Sequence, residues 1–215
     1  MELMKITDND YETAESRPVH GMSAEHFIAA NTKTVNLERL RDKCIIPVFA
    51  KDNESTISHA EFINAVGDVV GSFFRNETVL LPSVKVSHPI KGRIPEAMGK
   101  PAKELTEAEK TLYYERMAFM IEIPSIRDSI SGNDLSLTIG GVRAYNLENL
   151  FGKKVEEKFK IFIGFKNWVC CNLLVSTDGV LFELKARSPH EIVDQTFELI
   201  NEFNVVKQLE AFRRL

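Results

Sequence analysis

Residues 158–166 read KFKIFIGFK, and they set Phe159, Ile161, Ile163 and Phe165 at every second position. Lys158, Lys160, Phe162, Gly164 and Lys166 fall between them. A period of two is the signature of a strand with one face turned to a core. The same period runs through residues 116–123, RMAFMIEI, where Met117, Phe119, Ile121 and Ile123 alternate with Arg116, Ala118, Met120 and Glu122. It recurs at 135–139, where Leu135, Leu137 and Ile139 alternate with Ser136 and Thr138. It also runs through residues 83–88, where Val84, Val86 and His88 alternate with Ser83, Lys85 and Ser87. Few helical patterns separate these stretches, so the connections are hairpins rather than helical crossovers.

Working outward, Trp168–Ser176 reads as a further strand, and Asp178-Gly179 is a hairpin turn leading into Val180–Ala186. The sheet is expected to start near Val79. Helices flank it. Ser58 and Glu61 form a capping box before Phe62, Ile63, Val66, Val69, Val70 and Phe73 at helical spacing. Gly67 and Gly71 lie one turn apart on that helix and suggest a close approach by another element. Ser188, Pro189 and Glu191 start a second helix carrying Ile192, Phe197, Ile200 and Phe203. Shorter helices are expected after Ser23 and over Asn36–Lys43, with an edge strand at Cys44–Phe49 that contains Pro47. Thr106 and Glu109 form another capping box. The predicted fold is α+β: a mainly antiparallel sheet packed against two main helices. Residues 1–20 are polar and acidic and are expected to be a disordered tail. Residues 21–215 form one domain.

The 215 residues carry a net charge of −4. By thirds, residues 1–81 hold 8 basic and 13 acidic groups, residues 82–168 hold 14 and 11, and residues 169–215 hold 5 and 7. Only the middle is basic, so an anionic partner is sought there. No apolar run approaches the ~20 residues of a membrane span. Three cysteines, two of them adjacent at Cys170 and Cys171, suit a reducing, cytoplasmic compartment rather than a disulfide framework or a zinc site.

No phosphate-loop, dinucleotide, nucleophile-elbow or metalloprotease motif is present. No cofactor or metal is expected. Gly140-Gly141 reads as a bulge or turn within a hairpin. His88, at a strand end near Lys85, Lys91 and Arg93, is the one candidate general base. No nucleophile or orienting carboxylate can be named for it. Lys85–Lys103 holds five basic residues and one acid, with Pro89, Pro95 and Pro101, and reads as a basic loop whose Lys85, His88, Lys91 and Arg93 are candidate nucleic-acid contacts. Lys158, Lys160 and Lys166 share a strand parity with Phe162, which describes a basic sheet face bearing an aromatic ring. Single-stranded DNA or RNA is often held that way, lysines tracking phosphates while the ring stacks a base. Arg143 is a further candidate contact, and Tyr145 and Trp168 are candidate stackers. The same pattern also suits a face closed by a helix with lysines at its rim.

The runs CIIPVFAKDNESTISHAEF, VKVSHPIKGRIPEA, YYERMAFMIEIPSI, LTIGGVRAYN and FKIFIGFKNWVCCNLLVSTDG resemble an uncharacterised family known mainly from Bacteroidetes, domain of unknown function 3871. The resemblance covers about residues 23–210. It implies no activity, substrate or catalytic residue. It implies a setting in mobile, phage- or plasmid-like DNA, and a longer chain in other members. Three functions are therefore carried forward: a nucleic-acid-binding accessory protein, a protein-interaction or self-associating module, and an enzyme centred on His88.

Overall fold

A computed structural model describes residues 32–44, 56–130, 133–145, 156–167, 180–203 and 210. The strands expected at Cys44–Phe49 and Trp168–Ser176, the Asp178-Gly179 turn, the helix after Ser23 and the 1–20 tail lie wholly or largely outside them.

The architecture is α+β and mainly antiparallel. Strands β1 (Lys33–Val35), β2 (Ser83–Val86), β5 (Arg116–Ile130), β6 (Asn133–Ala144), β7 (Glu157–Asn167) and β8 (Val180–Ala186) form one sheet in the order β1-β2-β5-β6-β7-β8. Every pairing in it is antiparallel. Strands β3 (Pro89–Arg93) and β4 (Lys110–Tyr114) pair separately as a two-stranded ribbon. The ribbon grows from one end of the sheet. Ser87 and His88 join β2 to β3, Glu115 joins β4 to β5, and the Ser87 N–H donates to the Arg116 carbonyl at 3.0 Å. The expected basic loop is thus corrected in part. Pro89–Arg93 pairs with Lys110–Tyr114, and the loop proper starts after it.

Among the described residues the helices are α1 (Leu37–Lys43), α2 (His59–Phe73) and α3 (Pro189–Glu202). At α2 the capping box forms as the sequence predicts, Ser58 Oγ accepting from the Glu61 N–H and the Glu61 carboxylate accepting from the Ser58 N–H. At α3 the acid is displaced by one residue. Glu191 takes the Arg187 N–H rather than that of Ser188. α2 and α3 pack on the same face of the sheet, where Phe62, Ile63, Val66 and Val70 meet Phe119, Ile121, Ile139, Phe159 and Ile161 in one core. No helix among the described residues is long and apolar enough to cross a membrane.

The two pairs of glycines behave otherwise than expected. A Cβ at Gly67 would meet only Ile121 Cδ1 at 3.9 Å, and one at Gly71 would meet nothing within 4 Å, so neither serves a close approach. Gly140 and Gly141 are neither a bulge nor a turn. They lie mid-strand in unbroken register, opposite Met120 and Phe119 on β5 and opposite Phe162 and Ile161 on β7. The Phe162 ring lies on Gly140 from one face of the sheet. The Phe62 and Phe119 rings lie on Gly141 from the other. The one register shift between β5 and β6 comes later, between Ile123 and Arg127.

Candidate nucleic-acid interface

The sheet face opposite the helices carries the residues proposed from parity, and it divides into two halves. One row across it runs Lys85, Ala118, Val142, Lys160 and Glu183 on five successive strands. Directly paired residues project from the same side of a sheet. The next row adds Arg116 opposite Ala144, and Lys158 opposite Lys185. Arg116, Lys158, Lys160 and Lys185 are all exposed. Strands are about 4.8 Å apart, so Arg116 and Lys185 stand about 14 Å from each other across three spacings. Of the acids sharing this parity, Glu156 pairs with Arg187 at 3.1 Å in the adjoining row, and Glu183 lies 3.8 Å from Lys158 with both side chains 48% exposed. A pair so solvated contributes little and leaves Lys158 open to other anions. Val142 and Leu181, 37% and 55% exposed, give the patch an apolar component.

The other half of the face is closed. Met120, Glu122, Ser136, Thr138 and Phe162 are buried there. Phe162 is 4% exposed, which corrects the expected open stacking ring: with no side chain at Gly140, the ring packs against the strand. Lys166 is turned inward for a different reason. Its ammonium pairs with the buried Glu122 carboxylate at 3.1 Å, and Glu122 also accepts from Ser136 Oγ at 2.7 Å. Lys85 is 9% exposed and donates to Thr34 Oγ1 on the edge strand at 2.7 Å. The described helices do not close this half, because both main ones pack on the opposite face.

Arg143 is not a surface cation at all. It shares the inward parity of Leu137, Ile139 and Gly141, and it is 1% exposed. Its guanidinium donates to the Ile57 carbonyl and pairs with Glu157, which in turn accepts the Ile57 N–H at 2.9 Å. The guanidinium carbon sits 4.3 Å from the Tyr145 ring centre and 4.5 Å from that of Phe159. Tyr145, 1% exposed, is likewise no surface stacker; it stacks on His59 at 4.4 Å. This clamp fixes both backbone groups of residue 57 and thereby the start of α2. His59 donates from Nε2 to the Tyr114 carbonyl at 2.7 Å. Burial, and then the Arg143 cation, push its pKa down to about 3.

The ribbon cations are largely matched from within. Arg93 donates to the Lys100 carbonyl, Lys100 pairs with Glu109, and Lys110 pairs with Glu107. Bonds from Lys100 and Thr106 hold the Glu109 carboxyl down to about 2. Lys91 stays exposed, and so does His88, which makes no side-chain hydrogen bond or ion pair among the described residues. Among the described residues no carboxylate orients His88 as a general base would need.

The pattern of one family, described as "Domain of unknown function, B. Theta Gene description (DUF3871)", matches residues 14–215. The chain belongs to this family. The match contains the sheet, the ribbon and the patch, so all of them are parts of the DUF3871 domain. No curated protein and no solved structure matches the chain. Two of the patch residues, Arg116 and Lys185, were not among the sequence candidates. Their signal was available: Arg116 shares the outward parity of Ala118, and Lys185 lies opposite Lys158 once β7 and β8 are paired.

Proposed function

We propose that this domain binds single-stranded nucleic acid along its backbone, through the open half of the second sheet face. The observation that carries the reading is the grouping of Arg116, Lys158, Lys160 and Lys185 on adjacent strands, of which only Lys158 is ion-paired among the described residues, in a chain whose net charge is negative. Recognition is by charge rather than by stacking on Phe162 or Tyr145, both of which are buried. Val142 and Leu181 offer apolar contact to sugars. His88 and Lys91 flank the patch where the ribbon leaves the sheet. Such a site discriminates little between sequences, because phosphate contacts position a strand without reading its bases.

Binding should weaken steeply with salt. Four neutralised phosphates give a slope in log K against log salt of about −3 for a single strand, or about a fiftyfold loss between 50 and 200 mM. Fluorescence anisotropy with labelled DNA and RNA oligonucleotides measures this. A Lys158→Glu, Lys160→Glu double variant, altered only at exposed positions, should abolish binding at about 50 mM salt. An absence of binding by the parent at that salt, or a variant that binds equally well, would overturn the proposal. Preference for duplex over single strands would replace it with a duplex site.

A further inference from the structure

A second surface feature lies on the far edge of the sheet, away from the basic patch. Between α1, α2 and the approach to β2 is a groove of about 250 Å³. Leu37, Ile63, Gly67, Val79 and Ile121 line it, and Asp68 and Asn64 contribute its polar groups. Asp68 is exposed and makes no ion pair among the described residues.

Among the described residues, the chain beside the groove is an unfinished sheet edge. Residues 78–82 run along β5, the Leu80 N–H donating to the Glu122 carbonyl at 2.9 Å and the Thr78 N–H to Ser125 Oγ at 3.0 Å. β1 covers β2 only as far as Val35 opposite Val84, and the chain then turns away into α1. Backbone groups alternate sides along an extended segment. Since Leu80 faces β5, Val79 and Leu81 present theirs to the open edge, and neither makes a backbone hydrogen bond among the described residues. Leu81 is 91% exposed, and the following Pro82 keeps it out of the helical region. An extended, preset edge therefore lies beside an apolar groove with a carboxylate at hand.

We infer that this edge docks an extended segment of a partner protein by strand addition, with an apolar side chain in the groove and a neighbouring Lys or Arg on Asp68. Three observations choose that occupant. The outward backbone groups at Val79 and Leu81 ask for another backbone, which is the basis of strand addition. The groove falls below the ~300 Å³ at which small-molecule pockets begin, and it suits a side chain or two. The unmatched charge is negative, which selects a basic residue and disfavours an acidic one.

The test is a selection of displayed random peptides on the immobilised full chain, followed by anisotropy on the recovered peptides. Recovered sequences should carry a basic residue next to an apolar one. Asp68→Lys should weaken them about tenfold or more, and Leu81→Asp should do the same. Both positions are exposed, so thermal melts should match the parent. N-methylation of the peptide's pairing amides should abolish binding, which separates strand addition from plain apolar contact. The Lys158→Glu, Lys160→Glu variant should bind the peptides normally, so this site and the nucleic-acid site stand or fall apart. Failure to recover any peptide, recovery of acidic peptides, or indifference to Asp68→Lys would overturn the inference.

Discussion

At the scale of single residues, glycines decide how tightly the sheet can be clad. A Cβ at Gly140 would overlap the Phe119 carbonyl oxygen and the Phe162 ring, and one at Gly141 would stand 2.5 Å from Phe62 Cζ and 2.8 Å from Phe119 Cε1. Overfilling a packed core costs about 1–3 kcal/mol, and more where backbone must move. Gly140→Ala, whose clash includes backbone, should therefore cost about 3 kcal/mol or more, read from the urea midpoint. Gly71→Ala is the counter-case. It sits in helix α2 with open space around it. It should stabilise by about 0.5–1 kcal/mol, because alanine restricts the unfolded chain. A destabilising Gly71→Ala would mean that the space beside α2 is occupied. His59 makes a prediction about pH. Its pKa is about 3 in the fold against an ordinary 6.5, so the unfolded chain takes up a proton that the folded one refuses. Its contribution is complete above the unfolded pKa and is lost as pH falls from there towards 3, at about 1.4 kcal/mol per pH unit. Gln at this position keeps a donor for the Tyr114 carbonyl and removes the titration. Denaturation of His59→Gln at pH 7 and pH 5 should show a flatter acid limb than the parent; equal slopes would contradict the assignment.

At the scale of elements, what was legible follows from which interactions are local. Capping boxes are local, and those at Ser58 and Thr106 form as the residues predict. Period-two alternation is local too, and it located β5, β6 and β7 and the faces of their residues. β1 was missed because three residues show no periodicity; it exists only because β2 offers an edge at Val84–Val86. β3 reads as loop in the sequence because its partner, β4, lies beyond two prolines and three short helical turns. A basic stretch ending at Lys103 also leaves out a counterion, Glu109, which pairs with Lys100. Among site residues, parity placed Lys158 and Lys160 on the face where they stand. Extended from Leu137 and Ile139 through Gly141, the same parity turns Arg143 towards α2, where charge alone argues against burial. Pairing with Glu157 across the turn of the chain overrides that argument, as a buried ion is tolerated once it is paired and hydrogen-bonded. No local pattern foretells Phe162, whose burial needs Gly140 on the neighbouring strand.

At the scale of the whole molecule, stability and interface are distributed unequally, and the distribution bears on how the patch would work. Strands β5, β6 and β7 are buried on both faces over part of their length; Ile121, Ile139, Ile161 and Ile163 lie under α2, while Ser136 and Thr138 are 0% exposed on the other side. Their amides should open only when the whole domain unfolds. The β3–β4 ribbon has two strands and no further neighbour among the described strands, and such a pair is marginal by itself. Native-state hydrogen exchange should therefore place Ile121, Ile139 and Ile161 in the slowest class and the ribbon amides Ile90 and Leu112 several orders faster. Uniform protection would show instead that the ribbon is tied into the same cooperative unit. The contrast separates the two parts of the proposed interface. Lys158 and Lys160 project from a slow strand, so their backbone spacing is set before any strand of nucleic acid arrives, and no backbone ordering opposes that contact. Lys91 rides on the ribbon and can join only by ordering it. Added oligonucleotide should accordingly leave exchange in β7 unchanged and slow exchange in the ribbon, whereas slowing confined to β7 would mean that the rigid patch was not preset for its ligand.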